Sequence, residues 1–213
     1  MSLYTFFGCL LLAYGPILSI FFLYIAPNAQ YVLLMVSSVA IQEICRWGFY
    51  LLLNKAEAGL NTVSANPKSP FNRSVFAFVS GFGYALMSSL VGYISLLAES
   101  IGPGVMMCPS CPAATLYFIS AITTSLFSLM HVFWMMISFD GFSELPRMKG
   151  WFKIGWVVIS HYGASFATTL NSSATVNYGC VYSIVICLSI ISVSVFIVAS
   201  SLRSRYRLSL QKS

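Results

Sequence analysis

Charge is what this sequence lacks most: Asp and Glu number 5 and Lys and Arg 11 among 213 residues, so only 8% of the chain is charged. A soluble domain of this length carries about three times as much, and a disordered chain needs a polar, charged composition that is equally missing. Histidine is scarcer still, with His131 and His161 as its two occurrences. No His-Glu-x-x-His pattern, Gly-x-Ser-x-Gly elbow or internal repeat is present, and neither a cofactor nor a metal is expected. The chain does hold apolar side chains, 58% of its residues, with a mean hydropathy of +0.84. The net charge of +6 would suggest nucleic acid in a soluble protein, but the basic residues fall in short blocks between apolar runs. Composition therefore predicts an all-α polytopic transmembrane helical bundle forming a single membrane domain, with no nucleic acid as partner.

Runs long enough to cross a bilayer, about 20 residues each, lie at Leu3–Ala26, Tyr31–Leu53, Val75–Ala98, Ala113–Phe139, Trp151–Leu170 and Tyr178–Leu202, which makes six predicted spans. Three connections carry the basic residues: Asn54–Arg73, Asp140–Gly150 and the tail from Arg203. The alternate connections, Pro27–Gln30, Glu99–Pro112 and Asn171–Asn177, have no Lys or Arg. By the positive-inside rule the basic connections and the C-terminus face the cytosol. Counting back through six spans places the N-terminus there as well. The first run lacks a basic n-region, so it reads as a mature span, not a cleaved signal.

Polar residues inside apolar runs mark candidate sites, because an ionisable group at membrane depth is costly. Glu43 and Arg46 are three apart in the second run, on one helical face beside Gln42, and read as an intramembrane ion pair that fixes packing or as a catalytic or transport carboxylate. His131 and His161 occupy the middles of the fourth and fifth runs, where antiparallel neighbours bring them together. They suit interhelical hydrogen bonding or a small polar cavity. The third run places Ala77, Gly81, Ala85 and Ser89 at intervals of four, with Ser88 and Gly92 alongside. Such a smooth face is a helix-packing stripe, used inside the chain or against another subunit. Gly15-Pro16 should kink the first run, and Gly102-Pro103-Gly104 should turn the chain. Cys108-Pro109-Ser110-Cys111 has redox-pair spacing but no surrounding βαβ unit, so a local disulfide or two free thiols is expected. Asn171-Ser172-Ser173 is a glycosylation sequon at a predicted membrane boundary.

Taken in order, Phe6-Phe7-Gly8-Cys9, Gln42-Glu43-x-x-Arg46, Lys55-Ala56-Glu57-x-Gly59-Leu60, Val79-Ser80-Gly81, Gly102-Pro103-Gly104-Val105, His131-x-Phe133-Trp134, Phe139-Asp140, Ser160-His161, Leu170-Asn171 and Ser201-Leu202-Arg203-Ser204 follow a pattern along almost the whole chain. With these motifs the sequence resembles the anterior pharynx-defective family, the scaffold subunit of γ-secretase. The resemblance implies a non-catalytic subunit that binds presenilin and nicastrin, with the small presenilin-enhancer subunit in the same complex. It also implies assembly in the endoplasmic reticulum and Golgi, onward traffic to plasma membrane and endosomes, and processing of type I membrane proteins such as Notch and amyloid precursor. By position, His131 and His161 match the family's two intramembrane histidines. Gly81, Ala85 and Ser89 match its glycine stripe, of which Gly81 alone keeps glycine. The family's second span of seven is missing here, because similarity passes across Pro27–Gln30 directly to the third. Two rival readings use the same residues. One is a glutamic-type intramembrane protease built on Glu43, His131 and His161; the other is a small transporter with those groups as a proton relay.

Overall fold

The computed structural model describes residues 31–62, 69, 71–99 and 106–211. The first run Leu3–Ala26, its Gly15-Pro16 motif, Pro27–Gln30 and the Gly102-Pro103-Gly104 turn lie outside the described residues. Five long helices follow one another: α1 (Tyr31–Thr62), α2 (Asn72–Glu99), α3 (Leu116–Glu144), α4 (Met148–Thr168) and α5 (Gly179–Leu210). Between α2 and α3 a small antiparallel ribbon pairs β1 (Met107–Cys108) with β2 (Cys111–Thr115). Among the described residues the architecture is mostly helical, as expected, with one small β-ribbon that the sequence did not signal. Ala113 belongs to β2, and the helix begins three residues later, where the Thr115 hydroxyl accepts from the Phe118 N–H at 3.3 Å. Apolarity alone does not distinguish a short strand from a helix start.

At the other boundaries the helices outrun the apolar segments. α1 continues to Thr62 through Lys55-Ala56-Glu57-Ala58, where good helix formers prolong it beyond Leu53. α5 continues to Leu210, so the expected basic tail is largely helix. Among the described residues three helices are long and apolar enough to cross a membrane: Asn72–Ile94, Leu116–Glu144 and Gly179–Arg207. α1 and α4 are the less apolar pair, diluted by Gln42, Glu43 and Arg46 in one and by Lys153 and His161 in the other.

α3 is the axis of the bundle, packed against α2, α4, α5 and α1. Its contact with α2 runs along the small-residue stripe. Ala77 and Ala85 are buried, and a Cβ placed on Gly81 would lie 3.0 Å from the Val132 backbone and the Met135 Cβ. Ser89 closes the seam with a hydrogen bond to Ser128. The stripe is therefore filled by a helix of its own chain, whereas Gly92 has open space around it. On the opposite side of α2, Phe78, Phe82, Leu86, Leu90 and Ile94 are exposed at intervals of four, a face suited to hydrocarbon.

The α3–α4 turn is tight because Gly141 and Gly150 face each other. A Cβ on Gly150 would sit 2.7 Å from the Gly141 carbonyl oxygen. Pro146 ends α3 by forcing Leu145 into extended backbone. At the far end of the bundle Cys111 is bonded to Cys180, which ties the ribbon to the start of α5. Ser110 reinforces the tie: its hydroxyl accepts from the Cys180 N–H at 3.1 Å and its carbonyl from the Tyr178 N–H at 2.9 Å. The local Cys108–Cys111 disulfide is thus corrected. Cys108 is a buried free thiol that hydrogen-bonds to the Asn171 carbonyl at 3.2 Å. Asn171 is buried in the same junction.

Candidate functional site

The middle of the bundle gathers polar side chains from three helices. From α1, Glu43 and Arg46 meet at 2.6 Å, one helical turn apart. From α4, His161 reaches the same Glu43 Oε1 through Nδ1 at 2.6 Å, and from α3, His131 Nδ1 lies 3.2 Å from Arg46 Nη2. The order is His161, Glu43, Arg46, His131, a linear relay of contacts joining α4 to α1 to α3. The two imidazoles are themselves edge-to-face, with ring centroids 5.3 Å apart.

Proton positions follow from what each partner can do. A guanidinium only donates, so His131 Nδ1 accepts and its proton sits on Nε2. A carboxylate accepts, so His161 carries a proton on Nδ1. Glu43 Oε1 thus receives two donors, and each histidine spends its Nδ1 inside the cluster.

Aromatic rings wall the cluster. The Arg46 guanidinium lies 5.6 Å from the Tyr84 ring centroid and 5.9 Å from that of Trp134, both within cation–π range. Trp134 also stacks at 4.5 Å on His161, and the Tyr84 hydroxyl donates to Gln42 Oε1 at 3.4 Å. Arg46 and Trp134 are fully buried, and His131 and His161 nearly so. A cation this deep is tolerated because an anion and ring faces surround it. Tyr84 escaped the sequence reading, and Trp134 entered it only as part of the His131-x-Phe133-Trp134 motif. Their signal was helical spacing, since Tyr84 is three residues beyond Gly81 and Trp134 three beyond His131.

The stripe residues Gly81, Ala85 and Ser89 are not part of this cluster; they set how closely α2 and α3 approach beside it. A second polar network was also missed. Asp140 at the end of α3 is bonded to Ser201 and Arg205 of α5 and lies 3.3 Å from Lys153 of α4, which also reaches Glu144 at 2.8 Å. Asp140 and Lys153 flank the same turn, and Ser201 and Arg205 are four apart, the spacing that allows one face of α5 to serve one carboxylate.

Residues 30–201, which include both networks except for Arg205, match the family model described as Aph-1 protein. The chain belongs to the Aph-1 family. Among curated Aph-1 relatives, the γ-secretase subunit Aph-1 of Drosophila melanogaster is 27% identical over 205 aligned residues, covering 81% of this chain and 84% of the relative. The γ-secretase subunit APH-1B of Homo sapiens is 28% identical over 228, covering 87% and 86%. Similarity extends to plants, where the APH1-like γ-secretase subunit of Arabidopsis thaliana is 25% identical and covers 72% of this chain and 60% of the relative. The alignment with the human Aph-1 protein, at 228 positions, is longer than this 213-residue chain, so the relative contributes residues that this chain lacks.

Proposed function

We propose that this protein is a non-catalytic scaffold subunit of a γ-secretase-type intramembrane protease, assembling with presenilin and nicastrin homologues and the small presenilin-enhancer subunit. The observation that carries the reading is the match to the Aph-1 family over residues 30–201, spanning the Glu43–Arg46–His131–His161 cluster. The cluster's geometry supports a structural role. Glu43 is engaged by a guanidinium and an imidazole N–H instead of standing free to take a proton from water. The complex in this reading cleaves type I membrane proteins with catalytic groups supplied by another subunit, in endoplasmic reticulum, Golgi and later compartments.

In this reading the chain forms one membrane domain that crosses the bilayer six times, with the described helices as five of the spans and the C-terminus in the cytosol. The extra length of the human relative supports the absence of one family span. The small-residue stripe acts within the subunit. With α3 seated on Gly81, partner helices dock on the outer apolar faces, and the stripe and polar cluster keep those faces in fixed relation.

The test is affinity purification of the tagged chain from membranes in mild detergent. Presenilin and nicastrin homologues recovered in fixed ratio are the expected result. Recovery of the chain alone, from cells that express both homologues, would overturn the reading.

A further inference from the structure

The end of the bundle that carries the α3–α4 turn holds a narrow, open-mouthed crevice of about 20 Å³, room for about one water, between α2, α3, α4 and α5. Its rim has three cations, Arg73, Lys153 and Arg205, and one carboxylate, Asp140. Its apolar lining includes Ile197 and Val198 of α5, both partly exposed. We propose that the mouth of this crevice binds one anionic phospholipid, the phosphate held by Arg73, Lys153 and Arg205 and the acyl chains lying outside it along the exposed apolar face of α5 at Val193 and Phe196. The site is distinct from the polar cluster and does not depend on the complex proposed above.

Three observations point to an anion with a hydrocarbon tail. First, the cations are partly buried, with side-chain exposures of 27% for Arg73, 17% for Lys153 and 24% for Arg205, so they are ordered yet reachable. Second, they keep donors in hand. Arg73 uses Nη2 on Tyr50 and Asn54 at 3.1 and 3.0 Å, and its approach to Glu57 is long at 4.0 Å. Arg205 commits Nη2 to Asp140, and Lys153 uses two of its three N–H groups on Asp140 and Glu144. Asp140 therefore orients two cations without consuming them. Third, the described residues at this end carry eight Lys and Arg, from Lys55 to Arg207, against Glu57, Asp140 and Glu144. A basic pocket between membrane helices beside an apolar helix face is the chemistry that selects an anionic headgroup. The lipid is favoured over free phosphate because the cations stand above an apolar surface that water solvates poorly.

The experiment is native mass spectrometry of the full-length chain in mild detergent, titrated with dioleoyl phosphatidic acid, dioleoyl phosphatidylcholine or glycerol phosphate. One phosphatidic acid should be retained with about ten-fold preference over phosphatidylcholine, and Arg73→Gln, which leaves the Asp140 network intact, should lower its retention about five-fold. Arg73→Lys should restore part of it. Arg203→Gln with Arg207→Gln removes two charges at exposed positions and should change retention less than about two-fold. Loss in that control as large as in Arg73→Gln would mean diffuse surface attraction and overturn the proposal. Glycerol phosphate displacing the lipid at equal concentration would overturn the lipid assignment.

Discussion

The protein has two polar networks built from the same materials and used in opposite ways. In the middle of the bundle, Glu43, Arg46, His131 and His161 bond to one another, walled by Tyr84 and Trp134, with the Arg46 Nε buried and without a hydrogen-bond partner. At the basic end, Asp140, Lys153, Arg205 and Arg73 form an open set beside a crevice, each partly exposed. The difference lies in the cations: Arg46 is fully buried, whereas Lys153, Arg205 and Arg73 keep 17%, 24% and 27% of their side chains exposed. Where water is absent, every charge must find its partner within the fold, so the central network has little freedom to serve a ligand. Where solvent reaches the cations it shares the burden, and spare donors can persist.

The comparison is tested most severely at Glu43. Replacing it with Leu leaves the Arg46 guanidinium buried without its anion and should cost about 3–5 kcal/mol, read as loss of folded protein in detergent thermal unfolding. Next in size is the covalent tie at the far end. Cys180→Ser opens a closure spanning 69 residues and should cost about 2–4 kcal/mol. Non-reducing peptide mapping of the parent should recover the Cys111–Cys180 linkage. Gly81→Leu drives a side chain into the Val132 backbone and should cost about 1–3 kcal/mol or more, whereas Gly92→Leu, with open space, should be nearly silent. His131→Leu should cost about 0.6 to 2 kcal/mol and His131→Asn less, because an amide oxygen can still accept from Arg46. Asp140→Asn should be the mildest, about 1 kcal/mol or below, because its partners are partly solvated. An Asp140→Asn cost equal to that of Glu43→Leu would erase the distinction between the two networks.

The sequence showed the pieces of the central network more clearly than their arrangement. Three-residue spacing put Glu43 and Arg46 on one face, and the two histidines at mid-run marked the depth. Joining them needed the packing of α1 against α3 and α4, which no local pattern encodes. The basic-end network was less legible still. Asp140, Lys153 and Arg205 sit where charged residues usually meet water, and only the tight Gly141/Gly150 turn and the helical extension of α5 bring them together. The C-x-x-C spacing of Cys108 and Cys111 misled for a related reason. A local rule favours the nearest thiol, but the ribbon and the start of α5 offer Cys111 a partner far away in sequence. The stripe on α2 was legible as a contact, yet its occupant was not, since small residues accept any helix that comes close.

The most direct test of a structural, non-catalytic centre is Glu43→Gln in cells, with protease activity measured per assembled complex. The substitution keeps the side chain's shape and removes only its charge. The account predicts less assembled complex and unchanged activity in each complex that forms. Normal assembly with abolished activity would contradict it, and would make Glu43 a participant in the chemistry.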